Sequence, residues 1–346
     1  MLEPVRPIVG LALGDPTGIG PELVAKLIAA EDVSAHASVL LVADRDELRR
    51  GAEIAGVDIL VEEVSSLERA DFASPQPKLL HCELPERPVY ALGGVSVEAG
   101  RYALETLKVL LNCAKTGAID SICFAPLNKE ALHRAGMAFA DELHWFAEQL
   151  GYGGYVCELN VLKELWTSRV TSHVALKDVS GLITESRVLE AVQLIDRALR
   201  QAGLSRPRIA VAALNPHAGD GGAFGREEIE VLAPAVERAR LEQMNVRGPY
   251  PADTLFVRAL AGEFDGVVTM YHDQGQIAMK LTGFERGVSV QGGLAIPITT
   301  PAHGTAFDIA GQGKANPEAM RQAFLLACRM GVGRREDPDG RHAPAR

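Results

Sequence analysis

Only five cysteines occur in 346 residues, at Cys82, Cys113, Cys123, Cys157 and Cys328. They are scattered, odd in number and form no CxxC pair, which argues against a disulfide framework or a thiolate zinc site and makes a reducing cytoplasm the expected compartment. The longest apolar runs fall far short of the roughly 20 residues that span a bilayer. Met1 to Gly10 has no charged segment leading into an apolar stretch, so no secretory leader is expected. Basic residues are in deficit: 35 Lys and Arg against 45 Asp and Glu leave a net charge of -10. That balance speaks against nucleic acid or an anionic membrane as partner. An anionic substrate must then be captured by a local cluster of donors. Internal repeats and low-complexity linkers are also absent, so any domain boundary is a crossover between packed lobes.

What is present is ample material for a core, with 47% hydrophobic and 23% charged residues, in a chain long enough for two domains. Short apolar runs recur at Pro7 to Leu13, Ser38 to Ala43, Ser121 to Ala125, Ile209 to Leu214 and Gly266 to Met270. Each has the length and composition of a strand buried on both faces. Between them lie stretches of helical spacing: Thr184 to Gly203, Glu228 to Arg240 and Pro317 to Met330. Alternation of this kind predicts an α/β protein with a largely parallel sheet.

Parallel sheets bind ligands at the carboxyl ends of their strands. Three such places carry a histidine: His173 after Leu165 to Ser172, His217 after Ile209 to Pro216, and His272 after Gly266 to Tyr271. Three imidazoles with an open position suit a catalytic divalent metal, although their spacing is too wide for a local motif and they could equally be bonded to backbone groups. The loop Asn215 to Gly222 is rich in small residues that let backbone approach a ligand. Tyr271-His272-Asp273-Gln274-Gly275 gathers polar and titratable side chains at a strand end, which needs satisfied partners or a metal. Asp253 reads equally as a helix N-cap or a catalytic carboxylate. The first loop, Gly14 to Glu22, is neither GxGxxG nor a Walker A loop, and by itself it could be only a tight strand-to-helix turn.

The run His303-Gly304-Thr305-Ala306-Phe307-Asp308-Ile309-Ala310-Gly311-Gln312-Gly313-Lys314-Ala315-Asn316-Pro317 resembles the adenosine-binding loop of the isopropylmalate and isocitrate dehydrogenases. Together with Gly14 to Glu22, Ala125 to Lys129, Ser172-His173-Val174, Asn215 to Gly222, Pro251 to Phe256 and Tyr271 to Gly275, it makes the chain resemble the 4-hydroxythreonine-4-phosphate dehydrogenase family. The resemblance implies a two-lobed fold of the isocitrate/isopropylmalate dehydrogenase type, with parallel and mixed sheets and a central cleft. Expected boundaries are 1–125 and 285–330 for a nucleotide-binding lobe, 126–284 for a metal, substrate and dimerisation lobe, and 331–346 for a polar tail. It also implies a homodimer with the active site near the interface, and a divalent ion on His173, His217 and His272 (zinc first, with manganese, cobalt or iron as alternatives). NAD would be held by His303, Gly304, Thr305, Ala306, Asp308 and Asn316. NAD is expected over NADP because no evident cation cluster awaits a 2′-phosphate, although Lys314 and Arg321 lie nearby in sequence.

The chain departs from the family where the substrate phosphate is held. Lys280 is kept, but the other clamp positions fall on Glu142, Leu143, Ser289 and Ile298. A carboxylate there repels a dianion, and Ile298 removes a bidentate arginine. An alignment slip by one residue would place His144 in the pocket. Without that clamp the chain resembles the family's terephthalate cis-dihydrodiol dehydrogenase branch, which implies a carboxylated cis-dihydrodiol, terephthalate 1,2-cis-dihydrodiol oxidised to protocatechuate with decarboxylation, in an aromatic catabolic pathway. Leu143, Trp145 and Ile298 would line a ring slot, with Trp145 alternatively plain core, and Lys280 with Arg286 or His144 would hold the carboxylate. The alternatives are a 4-phosphohydroxy-L-threonine or D-erythronate/threonate-4-phosphate dehydrogenase, or a metal-dependent lyase or hydrolase with a vestigial nucleotide site. Asp253, Asp273 and Lys129 are candidates for proton handling.

Overall fold

A computed structural model of the chain describes residues 6–82 and 91–336. Among them are twelve strands: β1 (Ile8–Ala12), β2 (Ser38–Ala43), β3 (Glu62–Val64), β4 (Lys78–His81), β5 (Ser121–Phe124), β6 (Cys157–Leu162), β7 (Leu165–Arg169), β8 (Ile209–Ala212), β9 (Val246–Tyr250), β10 (Gly266–Thr269), β11 (Val288–Gly292) and β12 (Ile298–Pro301). The chain forms two compact units. The first holds the described residues up to Gly153 together with Leu294–Arg335, and the second holds Gly154–Gly293.

In the first unit six parallel strands run in the order β3-β4-β2-β1-β5-β12. β1 and β2 are aliphatic without alternation because both faces are covered: Val9, Leu11, Leu40 and Leu41 are wholly or almost wholly buried. The helix Val97–Lys115 lies so close over β1 that a Cβ on Gly10 would come within 2.7 Å of the Leu110 side chain. In the second unit the order is β11-β6-β7-β10-β8-β9. β6 is antiparallel to both of its neighbours, β11 and β7, whereas β7, β10, β8 and β9 are parallel. The helix Glu185–Gln201 covers this unit with Val188, Val192, Ile195 and Leu199 inward, and it starts where Thr184 accepts from the Arg187 N–H.

The expected α/β class stands, but the boundaries move. Residues 126–153 belong to the first unit, not the second. Gly100 lets the helix Lys129–Arg134 approach until a Cβ there would sit 2.2 Å from the Ala131 carbonyl, and Phe146 packs on Phe124 of β5 at 5.7 Å. β11 pairs antiparallel with β6, which keeps residues 285–293 in the second unit. The expected tail at 331–346 is helical where it is described: Glu318–Glu336 is one helix. Its Arg334 donates to the carbonyls of Ile119, Asp120 and Ala114, and Arg335 pairs with Asp120, while residues 337–346 lie outside the described residues. All five thiols are free, and among the described residues no helix is long and apolar enough to cross a membrane.

Candidate active site

Three loops leave the carboxyl ends of β7, β10 and β8, which are adjacent in that order, and each carries one of the histidines. The His173 and His272 ring centroids lie 5.8 Å apart. His272 begins the helix His272–Gly283, and its Nδ1 lies 2.7 Å from Asp273 Oδ1. A carboxylate on one ring nitrogen fixes the orientation of the imidazole, as it does beside metal-ligating histidines. Gln274, one residue on, donates to the Ala213 carbonyl at the end of β8 and accepts from the Met270 N–H, tying two strand ends together.

His217 stands in an unusual backbone. His217, Ala218, Gly219, Asp220 and Gly221 all have positive φ, a left-handed turn in which three residues are not glycine. Such residues cost roughly 1–2 kcal/mol each, so the turn must be held from outside. Glu228 holds it. This carboxylate, 3% exposed, accepts from the Leu214 and Asn215 backbone N–H groups at 2.9 and 2.7 Å, and the Asn215 side chain donates to it at 3.0 Å. The His217 ring packs beside Phe224, centroids 6.3 Å apart.

Among the described residues, no three His, Cys, Asp or Glu side chains stand close enough together to hold an ion. His173 and His272 adjoin each other, whereas His217 is turned onto Phe224 by the left-handed loop. Asp253 is not an N-cap: it is the second residue of the helix Ala252–Leu260, whose cap position is Pro251, and it is exposed. Asp273 is the proton-handling candidate that contacts a site histidine. Lys129, in the first unit, lies 4.0 Å from Glu142.

In the first unit, loops after β1, β5 and β12 meet at the sheet's carboxyl edge. Asp15 N–H donates to the Pro126 carbonyl and Ile19 N–H to the Thr305 carbonyl, and a Cβ on Gly18 would lie 2.7 Å from that same oxygen. The first loop is thus a packed seat for the His303 run. His303 is partly exposed, with Nδ1 at 3.0 Å from the Gly304 carbonyl, and Ala306 takes a left-handed turn into Phe307–Ile309. Asp308 gives its carbonyl to Gln312, and Asn316 accepts from the Glu318 N–H at the start of the last helix. Sequence reasoning did not single out Asp15. It is 1% exposed, and its Oδ1 accepts from both the N–H and the hydroxyl of Thr17, while Oδ2 has no hydrogen-bond partner. Burial raises its pKa against the opposing effect of the Thr17 bonds.

The proposed ring slot is corrected. Leu143 and Trp145 are each 5% exposed and Ile298 is fully buried, with Trp145 edge-on to Phe146 at 5.3 Å, so these residues are core of the first unit. His144, the slip alternative, is held by Asp141 at 2.6 Å. Glu142 begins the helix Glu142–Gln149. Lys280 is exposed on the helix His272–Gly283, and Ser289 faces Asn160 across β11 and β6. A polar network around Ser289 was also overlooked: Glu158 and Asn160 alternate with apolar neighbours along β6, and Arg169 ends β7 after Thr167 and Ser168. The period-two pattern along β6 was the available signal.

Histidines at the ends of parallel strands, with a glycine-rich run seated on the first loop of the other unit, place the chain among α/β proteins whose ligands bind at the carboxyl ends of their strands. A family profile described as pyridoxal phosphate biosynthetic protein PdxA matches residues 35–327, and the chain belongs to that family. It is 57% identical over 334 residues to a Pseudomonas aeruginosa protein provisionally named 4-hydroxythreonine-4-phosphate dehydrogenase 2, covering 96% of this chain and 99% of that one. A Symbiobacterium thermophilum protein provisionally named D-threonate 4-phosphate dehydrogenase is 37% identical, with 94% and 96% covered. The crystal structure of 4-hydroxythreonine-4-phosphate dehydrogenase from Klebsiella pneumoniae superposes with a TM-score of 0.84 at 35% identity, covering 95% and 99%. A terephthalate 1,2-cis-dihydrodiol dehydrogenase from Burkholderia xenovorans is more distant: TM-score 0.68, 27% identity, 93% and 98% covered. The protein is an enzyme, a dehydrogenase.

Proposed function

We propose that the protein oxidises a phosphorylated four-carbon hydroxy acid with NAD, of the 4-hydroxythreonine-4-phosphate or D-threonate-4-phosphate kind. The observation that carries this is the 57% and 37% identity, over nearly the whole chain, to relatives bearing those names. The terephthalate dihydrodiol reading loses its footing because the residues meant to stack on a ring, Leu143, Trp145 and Ile298, are core. Hydride leaves the carbinol carbon for the nicotinamide while the hydroxyl proton passes to a base, with Asp273 the candidate beside His272. Where the new ketone lies β to the carboxylate, loss of carbon dioxide follows.

NAD is favoured over NADP by two engaged cations. Arg321 is paired with Asp32 at 2.6 Å, and Lys314 donates to the Gln312 side chain. A divalent ion, zinc first among the candidates, fits the adjoining His173 and His272, and its remaining ligand would come from His217 or from a second copy of the chain. Self-association is supported by apolar side chains left in solvent on two helices of the second unit: Val257 and Leu260, and Ile277 and Leu281. The reading is tested by following NADH with 4-phosphohydroxythreonine and D-threonate 4-phosphate; turnover of neither would overturn it.

A further inference from the structure

Arg169 ends β7 with only 5% of its surface exposed. Its guanidinium donates from Nη1 to the Asn160 side-chain oxygen at 3.0 Å and from Nε to the Ser172 hydroxyl at 3.1 Å. Both partners are neutral, and among the described residues no carboxylate forms an ion pair with it. The Glu158 carboxylate is linked to it through the Asn160 side chain, which bonds both, and not by a direct pair. A buried guanidinium without a direct counter-charge is costly, and it has the planar fork that oxyanions match.

The surroundings are polar. Asn160 stands opposite Ser289 and Thr167, and Glu158 opposite Gln291, so these side chains share one face of β11, β6 and β7 with Arg169. The Glu158 carboxylate on that face is occupied by the Asn160 amide at 2.9 Å and the Ser289 hydroxyl at 3.0 Å. Gln291 is 3% exposed, and its side-chain oxygen has no hydrogen-bond partner. Above the face runs the helix His272–Gly283. Its residues His272, Gln276 and Lys280 recur every four positions on one stripe, and Gln276 donates to the Asn160 side chain. Ser172, which Arg169 grips, immediately precedes His173. The network thus joins one site histidine, His173, to the helix stripe that begins with another, His272. Its rim is open, because Glu158, Ser172 and Gln276 are only half buried.

We propose that Arg169 receives an oxyanion of the substrate, its carboxylate or its phosphate, with the Gln291 amide oxygen accepting from a neighbouring substrate hydroxyl. This rests on the hydroxy-acid reading above and supplies that reading with a buried cation.

The test uses the full-length enzyme, R169M and R169K, in two measurements. Thermal shift with inorganic phosphate and with D-threonate as probes asks which oxyanion binds. The wild type should be stabilised by at least one, and R169M should lose that stabilisation. Phosphate alone assigns the phosphate end, and D-threonate alone assigns the carboxylate. In turnover, R169M should raise KM roughly 10- to 100-fold, the loss of one charge-assisted bidentate contact, with kcat within about threefold. R169K keeps the charge without the fork and should fall between them; it decides the matter if R169M does not fold. A wild type stabilised by neither probe, or variants with unchanged KM and unchanged probe binding, would overturn the assignment. Absence of turnover with every phosphorylated acid would overturn the function reading instead, leaving the probe-binding result to decide the role of Arg169.

Discussion

The imidazoles of His173 and His272, brought from the ends of neighbouring parallel strands β7 and β10, lie with ring centroids 5.8 Å apart, and Asp273 holds one nitrogen of the second. Nothing in the sequence spacing of these residues dictates that approach. It follows from the pairing of the two strands and from Gln274 locking the start of the second loop.

Replacing His173 or His272 by alanine should lower kcat at least about a hundredfold, the scale of losing an electrostatic or acid–base group at a reacting centre. Bound divalent metal, measured by elemental analysis, should fall in parallel while the melting temperature moves little, since both rings are partly exposed. Full activity in either variant would remove these residues from the chemistry.

Glu228→Ala should destabilise the second unit by about 3 kcal/mol, because the Leu214 and Asn215 N–H groups would lose a buried, charged acceptor. The left-handed turn carrying His217 should loosen with it. Thermal denaturation together with proteolysis at residues 217–224 checks this; an unchanged melting point would show that the turn is held otherwise.

Asp265 carries a pH signature. Partial burial pushes its carboxyl up, but the Arg208 bonds outweigh this and leave it below the usual range. A lowered folded-state pKa means stability present above the unfolded value and lost as pH falls through the folded one. Asp265→Asn should therefore cost about 1 kcal/mol at neutral pH, modest because Arg208 is half exposed, and the difference from wild type should vanish in acid. Urea titrations at neutral and acidic pH measure it; a difference that persists in acid would contradict the assignment.

Leu281→Glu, at a side chain 85% exposed on the apolar stripe of the second unit, should shift the protein toward monomer in sedimentation at micromolar concentration without changing its melting point as a monomer. Unchanged sedimentation would place the association surface elsewhere.

The parallel strands were legible because double-sided burial writes them as unbroken aliphatic runs; β2 matches its expected span, and β1, β5, β8 and β10 fall within theirs. The unit boundary was not, because it depends on Gly100 meeting Ala131 and Phe146 meeting Phe124, contacts that no local pattern announces. The histidine-bearing loops were recognisable, but the positive-φ turn that directs His217 onto Phe224 was not. Arg169 escaped notice because its partner Asn160 lies on another strand, and only the pairing of β6 with β7 brings the two together.

The most direct measurement is the ratio of kcat/KM for D-threonate 4-phosphate or 4-phosphohydroxythreonine to that for terephthalate 1,2-cis-dihydrodiol, with NAD. The account predicts a ratio of about a hundred or more for at least one phosphorylated acid, equivalent to roughly 2.7 kcal/mol of transition-state stabilisation. A ratio below one would contradict it and return the enzyme to the aromatic dihydrodiols.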